Sequence, residues 1–246
     1  MADVPRLYDD LAWLWPLLSP PEDYASEAAT MRSLLNETLT LGAPGHRPTV
    51  LELGAGGGHA LHHLRHDFDC VAVDLSAPML ANCRSLNPEV ETHLGDMRSV
   101  RLNRKFDAVL IHDAIDYMTN LADLRATLST AAAHLEPGGV ALVAPTYIRE
   151  TFADHETEQE HHANADVALT YFSYVHTLQP TDTTFELILL YLIKQPAVGG
   201  PVTVVEDRHV CGLFDEQTWL DLMNEAGFNC QRRTESLWEL FVGVKR

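Results

Sequence analysis

Short apolar runs alternate with amphipathic segments from residue 49 to residue 145. We predict five buried strands in this part of the chain, at 49–53, 69–74, 90–94, 106–112 and 140–144. Helices are predicted between them, including one capped by Ser76 and a long one from about Asn120 to Leu135. Strands that alternate with helices pair in parallel and carry helices on both faces of the sheet. The pattern therefore predicts an α/β fold with a doubly wound sheet.

The flanking segments follow other patterns. Between 146 and 212, strand-like runs at 169–178, 185–193 and 202–211 are separated by turn-forming residues, which predicts an antiparallel meander. A helix from Asp215 to Ala226 and a hairpin of 229–234 and 237–244 are predicted to complete the sheet. Near the N-terminus, Asp23 is the predicted cap of a helix that runs to about Leu39.

The composition narrows the class of partner. The chain has 246 residues, a hydrophobic fraction of 46% and a formal net charge of −18, from 17 Lys and Arg against 35 Asp and Glu. Such a charge excludes a basic surface that displaces counterions from nucleic acid, and it disfavours binding to anionic membranes. The expected substrate is a small neutral or cationic molecule.

The cysteines and the N-terminal residues indicate in which cellular compartment we expect the protein. The four cysteines are widely spaced and include no metal-binding pair. The first residues lack the features of a signal peptide, and no apolar run approaches the ~18 residues of a membrane span. We therefore expect a cytoplasmic protein with reduced thiols, and we predict no bound metal.

The most informative motif is the glycine-rich turn Glu52-Leu-Gly54-Ala-Gly56-Gly57-Gly58-His59. It follows a predicted strand and begins a helix, the context in which glycine lets a nucleotide approach the backbone. Asp74 ends the next strand about 20 residues after Gly54, where a carboxylate can bind ribose hydroxyls. Asp96 follows the third strand and can accept a hydrogen bond from an adenine amino group. All these residues fall at the carboxyl ends of successive strands, which is the ligand-binding edge of such sheets.

The glycines read G-x-G-x-G at Gly54, Gly56 and Gly58, whereas the dehydrogenase pattern is G-x-G-x-x-G. With other features of the chain, this motif resembles the class I S-adenosylmethionine-dependent methyltransferases. The other matching features, in chain order, are Asp74, Gly95-Asp96-Met97, Phe106-Asp-Ala-Val-Leu110, Pro137-Gly-Gly139 and Glu225-Ala-Gly-Phe228. The resemblance implies a Rossmann-like doubly wound seven-stranded sheet with an antiparallel β insertion acting as a lid. It also implies S-adenosyl-L-methionine as cofactor and S-adenosyl-L-homocysteine as product.

The same resemblance implies roles for individual residues. Glu52 and the backbone of Gly54 to Gly58 would hold the methionine portion, and Asp74 would hold the ribose. Asp96 with Met97 would hold the adenine ring, on which Leu75 would pack. His112 would contact the methionine end through its backbone. The predicted cofactor-binding residues are Tyr8, Tyr24, Glu52, Gly54, Ala55, Gly56, Gly58, Asp74, Leu75, Met79, Asp96, Met97 and His112.

A narrower resemblance begins at the N-terminus. Tyr8-Asp9 and Asp23-Tyr-Ala-Ser-Glu-Ala28 are similar to the N-terminal segment of the deoxysugar N,N-dimethyltransferases of macrolide biosynthesis, although the gap between Tyr8 and Tyr24 is longer and apolar. The resemblance implies that both tyrosines close over the sulfonium and that the insertion forms part of the sugar site and a homodimer contact. It implies four units, namely an N-terminal helical lid (1–48), a cofactor-binding core (49–145), a substrate and dimerisation insertion (146–212) and a terminal helix with hairpin (213–246).

Methyl transfer from a sulfonium mainly requires alignment of the reacting atoms and exclusion of water. The catalytic candidates are therefore the residues that follow the fourth strand: Tyr117, His112 and Asp113. Tyr117 matches the place where the sugar methyltransferases put a polar residue on the substrate side. Asp113 and Asp116 can equally be carboxylates at a helix start.

We expect methyl transfer to nitrogen or oxygen of a small molecule, such as an amino sugar or another secondary metabolite. Two alternatives are an NAD-dependent oxidoreductase and a non-catalytic nucleoside-binding protein.

Three further patterns in the sequence also lead to predictions. The histidines at 59, 62, 63 and 66 share a helix face, which we interpret as solvated because no carboxylate or thiolate completes a metal site. The acidic segment 154–162 is predicted to be a mobile loop. Asp207 and His209 alternate along the third insertion strand, so they share one of its faces.

Overall fold

The computed structural model of the chain describes residues 4–39, 47–179, 181–195, 200–235 and 238–246. Its strands, in chain order, are β1 (Thr49–Leu53), β2 (Asp69–Asp74), β3 (Glu91–Leu94), β4 (Phe106–His112), β5 (Leu135–Ala144), β6 (Thr157–Ala163), β7 (Ala168–His176), β8 (Thr184–Lys194), β9 (Thr203–Gly212), β10 (Phe228–Glu235) and β11 (Trp238–Lys245). Its α-helices are α1 (Trp15–Leu18), α2 (Ala25–Thr38), α3 (His59–Leu64), α4 (Ala77–Leu86), α5 (Leu121–Ala133) and α6 (Glu216–Glu225).

The main sheet has seven strands in the order β10-β11-β5-β4-β1-β2-β3. Strands β3, β2, β1, β4 and β5 are parallel neighbours. Helices α3, α4 and α5 connect β1 to β2, β2 to β3 and β4 to β5, whereas a loop without a helix connects β3 to β4. The terminal hairpin of β10 and β11 adds antiparallel to β5. The predicted seven-stranded doubly wound sheet is confirmed.

Each face of this sheet carries a separate apolar cluster. Helices α5 and α6 cover one face, where Leu128 and Trp219 pack with the strand residues. Helices α2, α3 and α4 cover the other face through residues such as Leu35 and Leu61. The helices cover the two faces of the sheet, and the carboxyl ends of its parallel strands lie together at one edge. The candidate site lies at this edge.

Of the two predicted helix caps Ser76 and Asp23, the first behaves as expected and the second does not. The Ser76 hydroxyl accepts a hydrogen bond from the backbone of Met79 at 3.1 Å, and Asn120 caps α5 in the same way. Asp23, however, lies inside a 3₁₀ turn over Pro21–Tyr24, and α2 begins only at Ala25. The prediction of Asp23 as the cap was wrong, because the proline-led turn precedes the helix.

The insertion forms a second sheet of four strands in the order β6-β7-β8-β9, each paired antiparallel to the next. The sequence predicted three of these strands, and it predicted a loop where β6 lies. That prediction was wrong because β6 is an edge strand whose side chains are almost all exposed, so it needs no apolar pattern. The inner face of the sheet packs against the N-terminal segment through Leu7, Leu11 and Leu14.

No helix within the described ranges is long and apolar enough to cross a membrane. The four predicted units of the chain remain a prediction.

Candidate active site

The glycine-rich turn between β1 and α3 is held in conformations that favour glycine. Gly54, Gly56 and Gly58 have φ values of +79°, +52° and +74°. A Cβ atom on Gly54 would lie 2.3 Å from the Cβ of Ala114 and 2.8 Å from the Cε of Met97. The turn therefore brings its backbone directly against the segment that follows β4, with no room for a side chain.

Asp74, at the end of β2, supports this turn. Its Oδ2 accepts a hydrogen bond from the backbone of Gly56 at 2.7 Å, and its Oδ1 accepts one from the backbone of Ser76 at 2.7 Å. Burial raises the pKa of Asp74 in spite of these backbone hydrogen bonds. A carboxylate has about four lone-pair positions, so both oxygens retain capacity for a hydroxyl donor.

Glu52 is the second carboxyl group beneath the turn, and its side chain is only 3% exposed. Among the described residues, none donates a hydrogen bond to its buried Oε2. Burial raises the pKa of Glu52 to about 8, with further contributions from Asp74 and Asp113. An orphaned buried carboxyl oxygen costs free energy unless a ligand satisfies it, so Glu52 is suited to a cationic or hydrogen-bond-donating group.

The other predicted cofactor contacts lie around the same edge. Leu75 is 59% exposed beside Asp74, although it is apolar. Met79 is fully buried beneath the turn, and Ala55 is also buried. Met97 packs against the main core and reaches Gly54.

Asp96 has a strong partner of its own. It accepts from the backbone of Arg98 at 2.8 Å and pairs with the Arg98 guanidinium at 2.6 Å. This arginine lowers the pKa of Asp96, so the side chain is a carboxylate. A contact of Asp96 with adenine remains a prediction, and it would require the carboxylate to serve both partners.

His112 and Asp113 stand at the end of β4. The Nε2 atom of His112 lies 3.4 Å from Oε2 of Glu27 and 3.5 Å from Oδ1 of Asp113. The Tyr24 ring meets the imidazole edge-on, with ring centroids 6.1 Å apart. Asp113 has a φ of +49°, which turns the chain sharply after the strand. The N-terminal segment thus closes over this corner through Tyr24 and Glu27.

A cavity of about 170 Å³ opens at this corner. It is lined by Ser19, Asp23, Tyr24, Glu27 and Asp113. Three of these five residues carry carboxyl groups, so the cavity is acidic and suited to a cationic group.

Tyr117 is where three parts of the chain meet. It lies in the 3₁₀ turn after β4, and its hydroxyl oxygen lies 3.0 Å from the hydroxyl oxygen of Tyr8. The same hydroxyl lies 2.6 Å from Nδ1 of His209 on β9. The core, the N-terminal segment and the insertion therefore each place one polar group at this point. Burial raises the pKa values of Tyr8 and Tyr117 well above their usual range, so both hydroxyls are neutral.

Asp116 is not an exposed carboxylate at a helix start. It is 5% exposed, and its Oδ2 accepts from the backbone of Thr146 at 3.1 Å. Burial raises the pKa of Asp116 well above its usual range. Its side chain is therefore buried behind the site.

The predicted solvated face was wrong for His59, His62 and His63, whereas His66 is exposed in the turn after α3. His59 is 5% exposed, and its Nδ1 accepts from the Trp15 indole. His62 contacts Asn87, and His63 contacts the carbonyl of Pro21. The N-terminal segment covers this face of α3, which no local pattern in α3 reveals. Within the residues that the structure describes, no group of three or more potential ligands could hold a metal ion.

Known proteins share this architecture and this motif. A family model described as a methyltransferase domain matches residues 50–139. Over 231 residues, the chain is 36% identical to the dTDP-3-amino-3,4,6-trideoxy-alpha-D-glucopyranose N,N-dimethyltransferase of Streptomyces venezuelae, with 91% of this chain and 92% of the relative covered. The chain belongs to the deoxysugar N,N-dimethyltransferase family.

Solved structures agree with this assignment. The methyltransferase matches DesVI of Streptomyces venezuelae with a TM-score of 0.81 at 28% identity, covering 96% of each chain. It matches the sugar N-methyltransferase KedS8 from Streptoalloteichus with a TM-score of 0.82 at 25% identity, covering 100% of this chain and 95% of the other. The protein is an S-adenosylmethionine-dependent methyltransferase acting on a small molecule. The relatives support this function and neither the oxidoreductase nor the non-catalytic alternative.

The residues of the methyltransferase fit its methyl donor. The glycine turn leaves a cradle that a side chain on Gly54 would fill, and Glu52 has an orphaned oxygen beneath it. Glu52, the turn and Asp74 would hold S-adenosylmethionine along this edge. When bound, the cofactor supplies an electrophilic methyl group, and the chain orients it and excludes water.

Sequence reasoning missed several polar residues of the methyltransferase site. Trp15 carried no recognisable signal, because its partner His59 is distant in sequence. Glu27 lies in the segment 23–28 that resembles the family, but that resemblance gave it no individual role. Asp207 and His209 did carry a signal, since they interrupt the apolar inner face of β9 between Val205 and Cys211. Two polar residues on a buried strand face indicate a specific polar partner.

Proposed function

We propose that this methyltransferase transfers two methyl groups in succession to the 3-amino group of a deoxysugar linked to a thymidine diphosphate. The observation that carries the proposal is the 36% identity, over nearly the whole chain, to a relative named for that substrate class. A second relative, 30% identical with 85% of this chain covered, is also named for a 3-amino sugar, from Streptomyces fradiae. The acceptor amine must be neutral to attack the methyl carbon, and its lone pair forms the new N–C bond as the C–S bond breaks and S-adenosylhomocysteine leaves. The methylated ammonium loses a proton to solvent before the second transfer, which restores the lone pair.

The roles of the site residues follow from this proposal. Glu52, Asp74, Asp96 and the turn from Gly54 to Gly58 bind the cofactor. The hydroxyl of Tyr117 faces the acceptor amine, and Tyr8 closes the site from the N-terminal segment.

His112 and Asp113 line the acidic corner with Glu27, where burial raises the pKa of Glu27. Carboxyl groups at this corner favour an amine over an acidic hydroxyl as the acceptor. The sequence predicted a neutral or cationic acceptor. For a sugar linked to thymidine diphosphate this prediction applies to the end with the amine, since the diphosphate carries negative charge.

The test uses three thymidine-diphosphate sugars with the purified chain and S-adenosylmethionine. One carries a 3-amino group, one a 4-amino group, and one a 3-hydroxyl group as the matched acceptor without nitrogen. Mass spectrometry should show monomethylated and then dimethylated product with the 3-amino sugar only. Methylation of the 3-hydroxyl sugar, or preference for the 4-amino sugar, would contradict the proposal.

We further propose a homodimer formed by the outer face of the insertion sheet. On this face Phe172 and Leu190 are register neighbours, each 39% exposed, and Val204 is 68% exposed. Apolar side chains of this size on one exposed sheet face favour burial against a partner. A second copy is the proposed partner because the narrower sequence resemblance implies dimer contact through the insertion. Light scattering should give a dimer for the wild type and for Leu178→Lys, which changes an exposed residue in a turn, but a monomer for Leu190→Lys. A monomeric wild type would contradict the proposal.

The cytoplasm is the proposed location, because all four cysteines are free thiols. Recovery of the protein from the culture medium of its source organism, instead of from the cell extract, would contradict this.

A further inference from the structure

Two polar residues lie buried on the inner face of the insertion sheet. Asp207 is 4% exposed and His209 is 1% exposed. Their neighbours on this face, including Leu189, Tyr191 and Val205, form an apolar cluster with the N-terminal segment. A buried carboxylate and imidazole pair is often no more stabilising than apolar residues of the same volume. Stability alone therefore gives no reason for these residue types at these positions.

The contacts of Asp207 connect the insertion to the N-terminal segment. Its Oδ1 accepts from the backbone of Arg6 at 3.0 Å, and its Oδ2 accepts from the backbone of Leu7 at 2.8 Å. Its Oδ2 also lies 3.1 Å from Nε2 of His209. Burial by itself would raise the pKa of Asp207, but the hydrogen bonds from His209 and the two backbone groups outweigh it and keep the pKa below its usual value. Because a carboxylate only accepts, Nε2 of His209 carries the proton of their hydrogen bond.

The other ring nitrogen of His209 contacts the active site. Nδ1 lies 2.6 Å from the Tyr117 hydroxyl oxygen, which in turn lies 3.0 Å from the hydroxyl oxygen of Tyr8. Tyr8 directly follows Leu7, whose backbone is bound by Asp207. The contacts thus form a closed ring that runs from Asp207 through His209, Tyr117 and Tyr8 back to Asp207. Both tyrosine hydroxyls are fixed by it, one through the imidazole and the other through the backbone.

This closed ring of contacts also lies beside the edge of the main sheet that carries the glycine-rich turn and Asp74. Tyr117 is in the same turn as Ala114, which packs against Gly54. The carbonyl of Tyr8 accepts a hydrogen bond from the hydroxyl of Ser76, two residues after Asp74. The segments that carry the two tyrosines are therefore in contact with the core as well as with the insertion.

We propose that Asp207 and His209 are positioning residues that set the hydroxyls of Tyr117 and Tyr8 against the acceptor amine. The proposal rests on the proposed function, because it concerns the same acceptor site. Neither residue touches the reacting atoms; His209 acts through Tyr117, and Asp207 acts through His209 and through the backbone before Tyr8. A hydroxyl held in one orientation can accept an N–H of the amine and so turn the nitrogen lone pair toward the methyl carbon. A misplacement of about 1 Å at such a contact can lower the rate 100-fold.

The first test measures turnover of Asp207→Asn and His209→Gln with the 3-amino sugar. Each change should lower kcat about 10–100-fold, as expected for lost positioning. The affinity for S-adenosylhomocysteine and the melting temperature should change little. The matched controls are Asp221→Asn, on the exposed face of α6, and His66→Gln, in the exposed turn after α3. Both controls should keep wild-type kcat, and wild-type kcat in Asp207→Asn and His209→Gln would overturn the proposal.

A double-mutant cycle tests whether His209 acts through Tyr117. Residues that act as one unit are strongly non-additive. His209→Gln should therefore cost nothing further in a Tyr117→Phe background. Additive losses would show that His209 acts independently of Tyr117, and they would overturn the proposal.

A spectroscopic test requires no acceptor. Nitrogen-15 labelling of histidine should reveal a ring N–H protected from exchange, which is absent in His209→Gln and shifted in Asp207→Asn. Absence of this signal in the wild type would overturn the ring of contacts, whatever the substrate. Conversely, a wild type that shows the signal but methylates none of the three sugars would refute only the proposed function.

Discussion

The indole Nε1 of Trp15 donates a hydrogen bond to Nδ1 of His59 at 2.8 Å. This contact ties the N-terminal segment to the first residue of α3, directly after the glycine turn. A Cβ atom on Gly57 would lie 2.6 Å from the same indole nitrogen, and the ring of Tyr24 stacks on the imidazole with centroids 5.3 Å apart. The apolar stretch that lengthens the gap between Tyr8 and Tyr24 thus covers the glycine-rich turn.

The first prediction concerns the pH dependence of stability. Burial, followed by the nearby His62, lowers the pKa of His59 to about 4 from 6.5. The unfolded chain therefore binds more protons than the folded chain between these values, so stability falls as the pH falls below 6.5. His59 should account for a loss of about 1 kcal/mol in the free energy of unfolding between pH 7 and pH 5.5.

Urea unfolding of the wild type and His59→Gln at these two pH values measures this contribution. The loss in unfolding free energy between pH 7 and pH 5.5 should be about 1 kcal/mol smaller in the variant than in the wild type, because glutamine does not titrate. Between pH 7 and pH 8 the two proteins should change in parallel. Equal losses below pH 7 would contradict the assignment to His59.

The second prediction concerns Glu52, whose pKa burial raises to about 8. At pH 7 the free protein should hold this carboxyl group mostly protonated, and binding of the cationic methionine end should favour the carboxylate. S-adenosylhomocysteine binding at pH 7 should then release about nine-tenths of a proton, and its affinity should rise as the pH approaches 8.

Calorimetry in two buffers of different ionisation enthalpy counts these protons. The matched variant is Glu52→Gln, which has the same shape and no titrating proton. Its binding should release no proton from this site, and its affinity should vary less with pH. The same proton count in both proteins would exclude Glu52 from the methionine site.

The third prediction tests Asp74 as the ribose ligand. Asp74→Asn places an amide donor where the backbone of Gly56 or Ser76 already donates, and it removes the charge. Loss of charged hydrogen bonds of about 1.5–3 kcal/mol should weaken S-adenosylhomocysteine binding about 10–100-fold. Asp69→Asn, at the exposed start of the same strand, is the control and should bind as the wild type does. Wild-type affinity in Asp74→Asn would remove Asp74 from the site.

The fourth prediction separates crowding from backbone strain in the glycine turn. Gly54 and Gly138 both have positive φ, at +79° and +88°, but only Gly54 would bring a Cβ atom into contact with other residues. Gly54→Ala should therefore cost about 1–3 kcal/mol more in unfolding free energy than Gly138→Ala. It should also abolish cofactor binding, whereas Gly138→Ala should retain it. Equal costs in the two variants would show that φ alone matters.

The main sheet could be predicted from the sequence because each of its elements is specified by residues close together in the chain. A parallel strand, a glycine turn and a capped helix are each specified within a few residues, and Ser76 shows this in its contact with Met79. The edge strand β6 was missed because an exposed strand carries no apolar alternation. The contacts of Trp15 with His59 and of Asp207 with Leu7 were missed because each joins residues far apart in the chain. Such pairs depend on how the N-terminal segment packs, which periodicity does not encode.

The composition of β6 bears on how copies of the chain can associate. Among the described residues, this strand pairs only with β7, at the end of the insertion sheet, and it carries exposed Glu158 and Glu160. A second copy that added its own β6 there would bring carboxylates against carboxylates, which is unfavourable. Pairing of two copies through β6 is thereby opposed, while the apolar outer face of the sheet stays exposed. A homodimer of the proposed kind would therefore use the outer face of the insertion sheet and not its β6 edge.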